Sequence, residues 1–140
     1  MRSLILRFFL VLIAAVIVVG CSGDINNLPT TPDPVIVTET FTGTLNINGG
    51  VTQNVFTGAT GAVSATLTSL GDNPPAKVGF SMGTLGSSGV CTPVLVKDDA
   101  VVNTSLAGTV STLAGSLCVR VYDTGALTES VNFTFTVTHP

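Results

Sequence analysis

From Glu39 to the C-terminus, apolar and polar side chains alternate in short runs separated by glycine-rich breaks. The clearest run is Ser130 to Thr138, where Val131, Phe133, Phe135 and Val137 share one face and Asn132, Thr134, Thr136 and Thr138 the other. Period two over that length predicts a half-buried antiparallel strand. Thr40 to Asn48 places Phe41 or its neighbours and then Leu45 and Ile47 on one face and ends at Gly49-Gly50, where a hairpin turn into Val51 to Phe56 is expected. Ala62 to Leu70 aligns Val63, Ala65 and Leu67, and Gly71-Asp72-Asn73-Pro74-Pro75 then breaks the chain. Lys77 to Met82 carries Val78, Phe80 and Met82 in phase, followed by Val90 to Lys97, a weaker run from Leu106 to Leu113, and Leu117, Val119 and Val121 alternating with Cys118, Arg120 and Tyr122.

Seven to nine short strands at roughly ten-residue spacing predict an all-β, two-sheet antiparallel sandwich over residues 39–140. Jelly-roll-like and immunoglobulin-like topologies both fit the pattern. Phe41, Phe56, Phe80, Phe133 and Phe135 are the aromatic core candidates, and the chain has no tryptophan. Thr, Val and Gly dominate while Lys, Glu and Gln are scarce, which is a strand composition.

The first 20 residues follow a different pattern. Arg2 and Arg7 precede an unbroken apolar run from Phe8 to Val19, and Val18-Val19-Gly20-Cys21 closes it. Phe8 to Gly20 spans 13 residues, against the roughly 20 that cross a bilayer core as a helix. The order of charge, apolar run, small residue and cysteine resembles a bacterial lipoprotein signal peptide with its lipobox, which implies an N-terminal signal helix over 1–20 and removes it from fold reasoning. The resemblance implies that Cys21 becomes the lipid-bearing first residue of the mature chain, with a thioether-linked diacylglycerol and an N-acyl chain, palmitate among its acyl groups. Several long chains anchor stably where one myristoyl chain holds weakly. Ser22, in place of the aspartate typical of inner-membrane retention, implies the outer membrane, on its periplasmic face or at the cell surface. Residues 21–38 then form the lipidated cysteine and a tether interrupted by Pro29, Pro32 and Pro34. Fully extended, the 17 residues from Ser22 to Thr38 reach about 50 Å.

The sandwich segment carries a second likeness. Ala62-Val63-Ser64-Ala65-Thr66-Leu67-Thr68, Ala114 to Tyr122 and Phe133 to Thr138 follow one another in an order that resembles the bacterial pre-peptidase C-terminal domain, an eight-stranded sandwich. Lys77 to Met82 stands where that family often has an Asp-x-Asp-Leu strand, and Leu117-Cys118 replaces late aromatic pairs. Its calcium or collagen binding is therefore not carried over.

Charge narrows the partners. Once the signal leaves, Lys77, Lys97 and Arg120 stand against eight carboxylates, a side-chain balance of −5. A phosphate-neutralising stripe is absent, so nucleic acid is not an expected partner, and acidic lipid headgroups repel the domain, leaving the lipid on Cys21 as the membrane contact. Cys91 and Cys118 are the remaining cysteines, an even pair in an exported domain, and a disulfide between them is expected. Two thiols without a histidine nearby leave a tetrahedral zinc site incomplete. His139, the only histidine, sits beside the C-terminus, where chain ends fray. Gly86-Ser87-Ser88-Gly89 lacks the nucleophile-elbow spacing and reads as a loop. Asp72, Asp98, Asp99 and Asp123 are hard-oxygen candidates for calcium, although turn aspartates also serve local hydrogen bonding. No cofactor and no catalysis are expected. The expectation is a structural, adhesion or accessory interaction module of the envelope, with an envelope protein or glycan as its partner. A glycan- or calcium-binding lipoprotein is the alternative, which Tyr122 as the single tyrosine disfavours for sugar stacking.

Overall fold

Eight strands account for nearly all of the regular structure between Val37 and His139 in a computed structural model that describes residues 32–112 and 115–140. The signal segment, Cys21 and most of the tether lie outside the described residues. The strands are β1 (Val37–Leu45), β2 (Gly50–Thr57), β3 (Gly61–Ser69), β4 (Val78–Leu85), β5 (Cys91–Ala100), β6 (Ser105–Val110), β7 (Gly115–Tyr122) and β8 (Val131–His139). They form two four-stranded antiparallel sheets, ordered β1-β8-β3-β6 and β2-β7-β4-β5. β1 pairs with β8, β2 with β7, β3 with β6 and β4 with β5, as if one long hairpin had been rolled until β8 met β3 and β7 met β4. That winding is a jelly roll.

The alternation decides which faces meet. On β8, Val131, Phe133, Phe135, Val137 and His139 point inward and are buried. Phe135 is the hub: its ring stacks on Phe41 at 5.2 Å and on Phe133 at 6.0 Å, and meets Phe80 at a tilt at 5.9 Å. Burying each such side chain contributes about 1.5–3 kcal/mol. Phe133 fits because Gly43 on β1 has no side chain; a Cβ there would stand 2.6 Å from its Cζ.

Three sequence expectations change. Gly49-Gly50 does not close a hairpin, because β1 and β2 belong to different sheets. The turn spans Asn46 to Gly49, closed by the Gly49 N–H donating to the Asn46 carbonyl at 2.9 Å, and the positive φ of 55° falls on Asn48. It sends the chain across the sandwich, since β1 is engaged by β8 and β2 by β7 along their whole lengths. Phe56 is 69% exposed and not in the core; it shares the outward side of β2 with Thr52 and Asn54, while Val55 and Thr57 point inward. His139 is not frayed. It pairs with Val37 at the end of β8 and its imidazole is buried.

Candidate functional site

The outer face of the β2-β7-β4-β5 sheet is built around glycines. β4 is an interior strand of that sheet, and Val78, Phe80 and Met82 face the core while Gly79, Ser81 and Gly83 face outward. Missing side chains at 79 and 83 let the neighbouring strands fold over β4. The Tyr122 ring of β7 lies where a Cβ on Gly79 would be, and its hydroxyl donates to Asp98 on β5. At the other end, the Thr92 carbonyl of β5 occupies the space of a Gly83 Cβ. That close approach brings Cys91 of β5 to Cys118 of β7, with their Cα atoms 5.8 Å apart, and the two form a disulfide.

Between these two crossings lies Arg120. Its guanidinium extends over Gly50 of β2, within 2.7 Å of where a Cβ would stand, and its centre is 5.3 Å from the Tyr122 ring centroid. Among the described residues no carboxylate is within ion-pair distance of it. Ser81 forms the floor, 1% exposed, with its hydroxyl oxygen unpartnered. The result is a shelf that offers a planar cation and an aromatic ring, an arrangement suited to a carboxylate or a hydroxyl-rich ligand. Burial, then the hydrogen bond and charge of Asp98, push the Tyr122 phenol up to about 12, partly opposed by Arg120. Tyr122 is therefore a neutral hydrogen-bond donor across the ordinary pH range.

The other acidic candidates are dispersed. Asp99 lies 3.5 Å from the Lys97 ammonium. Asp123 accepts from the backbone N–H groups of Asn48, Gly125, Ala126 and Leu127, and these bonds, led by Asn48, hold its carboxyl below the usual range. Among the described residues no three His, Cys, Asp or Glu side chains gather as a metal site. Ser87 and Ser88 sit in the β4–β5 turn, closed by the Gly89 N–H on the Gly86 carbonyl at 2.9 Å. His139 faces the Glu39 carboxylate at 3.5 Å and the Pro140 carbonyl at 3.2 Å.

Two further surfaces complete the domain. The outer face of the β1-β8-β3-β6 sheet is covered by hydroxyls that pair across strands: Thr38 with Thr138 and Thr66 with Ser105, each at 3.0 Å, and Thr44 donating to Asn132 at 2.8 Å. Between the β5 and β6 edges lies a cavity of about 360 Å³, walled by Val63, Met82, Leu95, Gly108, Val110 and Leu117 among others.

In the sequence alone Arg120 reads only as charge and strand alternation, and Tyr122 as a lone aromatic ring. The Gly79-x-Ser81-x-Gly83 alternation was the readable signal, because small residues on the outward parity of an interior strand invite cover from neighbours. No protein-family model and no curated protein matches this chain.

Proposed function

We propose that this chain is a lipid-anchored, non-catalytic jelly-roll module of the bacterial envelope. Cys21 carries the lipid at the outer membrane, and the domain binds an envelope partner. The lipobox order at Val18 to Cys21 supports the anchor. The observation that carries the non-catalytic reading is the position of His139. The only imidazole in the chain is buried at the end of the core against Glu39 and Pro140, and among the described residues it makes no hydrogen bond to a serine or cysteine nucleophile. The eight strands equal the number that the pre-peptidase C-terminal resemblance implies. The test is metabolic palmitate labelling of wild type and Cys21→Ser, with membrane fractionation. Labelled, membrane-bound wild type and an unlabelled precursor-sized variant are expected. Label retained by the variant would end the lipobox reading.

A second reading, glycan binding, is favoured by the Arg120–Tyr122 shelf, which places a guanidinium beside a flat ring. Retention of the protein on insoluble peptidoglycan, lost in Arg120→Ala, is the outcome it requires. Equal retention of both proteins would remove it.

A further inference from the structure

The strand registers give the sandwich two unlike poles. β1 starts, and β2, β4, β6 and β8 end, at the same pole: Val37 opposes His139, the Gly58 N–H donates to the Pro140 carbonyl at 3.3 Å, Thr57 opposes Gly115 and Leu85 opposes Cys91. The chain N-terminal to β1 therefore enters here. The described connections at this pole, Gly58-Ala59-Thr60, Gly86 to Val90 and Ser111-Thr112, contain no charged residue. Exposed apolar side chains gather there instead: Val35 at 80%, Ile36, Val37, Phe56 and Val90 at 61%. Two carboxylates lie near it, Glu39 on β1 and the exposed Asp33 in the entering segment. The opposite pole holds Asp72, Asp98, Asp99, Asp123 and Glu129 along with Lys77, and its two exposed apolar residues, Ile47 and Val101, stand among those charges.

We propose that this apolar-rich, weakly charged pole docks on the lipid surface, inserting Phe56, Val90 and the Val35–Val37 segment into the headgroup–acyl boundary, with Asp33 and Glu39 left at the headgroup level. This inference rests on the lipid-anchor reading. Three observations select a bilayer as the occupant. The apolar side chains lie at the pole where the chain from Cys21 joins β1, the end of the domain nearest the anchor along the chain. The 14 residues from Ser22 to Val35 hold the domain at high effective concentration over that surface, so a weak contact is populated. The carboxylates that acidic headgroups would repel are concentrated at the far pole. The net negative charge of the domain then orients it on the membrane and does not hold it off.

Because the chain has no tryptophan, Phe56→Trp and, at the far pole, Ile47→Trp each create a single indole at an exposed position, excited selectively at wavelengths too long for Tyr122. The full lipidated protein is reconstituted in phosphatidylcholine vesicles with and without brominated acyl chains, and flotation is followed in parallel. The expected result is blue-shifted emission from Phe56→Trp, quenched several-fold by the brominated lipid, and unchanged aqueous emission from Ile47→Trp. Adding Val35→Asp and Val90→Asp to Phe56→Trp should restore aqueous emission while flotation persists. Flotation with equal, unquenched emission from both positions would overturn the docking and leave the anchor standing. Blue-shifted emission insensitive to brominated lipid would assign the patch to a second copy of the chain and also overturn it. Loss of flotation together with loss of palmitate label would overturn the anchor, and the docking with it.

Discussion

Replacing Gly79 with alanine tests the shelf at its foundation. The new Cβ would overlap the Tyr122 ring, so the ring must lift away from β4 and release Asp98. Two quantities move together. The phenol, held at about 12 by burial and by Asp98, should fall back toward the ordinary tyrosine value of 10.0. The sign follows from the neutral form being the favoured one in the fold: the stabilisation is fully present below about 10 and is lost as pH rises from 10 through about 12. Two units correspond to a ceiling of about 2.7 kcal/mol. Solvent screening of this partly exposed group reduces that to about 1 kcal/mol. That pH dependence lies above 10, and near neutral pH the phenol is neutral both folded and unfolded. There the variant should lose about 2–4 kcal/mol, from the broken Asp98 hydrogen bond, about 1 kcal/mol, and from overpacking at a covered position, about 1–3 kcal/mol. Tyr122 is the only tyrosine and there is no tryptophan, so the tyrosinate absorbance band reports this one side chain. Urea unfolding measures the stability, with Gly58→Ala as control, since nothing lies within 4 Å of a Cβ there. A wild-type midpoint near the ordinary value, or a Gly79→Ala protein with unchanged midpoint and stability, would refute the reasoning.

Other consequences are as direct. Replacing both Cys91 and Cys118 by serine should lower stability by about 3–4 kcal/mol on loop-closure entropy for a separation of 27, read as a lower urea midpoint that reductant no longer shifts. Phe135→Ala, which empties the centre of the ring cluster, should cost about 3–5 kcal/mol, whereas Phe56→Ser should change stability little in the same assay. Asp123 is held below the usual carboxylate range, so its cap on the Asn48 and Gly125 amides should survive mild acid and fail only as pH falls through its depressed value. Amide exchange at Asn48 and Gly125 against pH reads this, and Asp123→Ala should lose the protection at every pH.

Where local alternation governs, the residues announced the structure. β8 is legible from Val131 to Thr138 because nothing interrupts its period of two, and the shared face of Val63, Ala65 and Leu67 is legible for the same reason. Legibility failed where a distant partner decides. Gly49-Gly50 looked like a hairpin because the sequence does not display the ladders with β8 and β7 that pull β1 and β2 into different sheets. Phe56 was drawn into the expected core by its hydrophobicity, although its parity with Thr52 and Asn54 placed it outside. The disulfide was readable from an even cysteine count, but not that it depends on Gly83 yielding its space to Thr92. The shelf stayed hidden because Arg120, Tyr122, Asp98, Gly50 and Gly79 come from four strands and converge only after the sheet forms.

The pairing of β1 with β8 also has a mechanical meaning. If a partner is gripped at the acidic pole while the lipid holds Cys21, the load on the domain enters at Val37 and runs parallel to β1. Nine residue pairs between β1 and β8, from Val37–His139 to Leu45–Val131, then resist together in shear. They would not peel one at a time. Under tension between the envelope and whatever it holds, the proline-broken tether should extend long before the jelly roll yields.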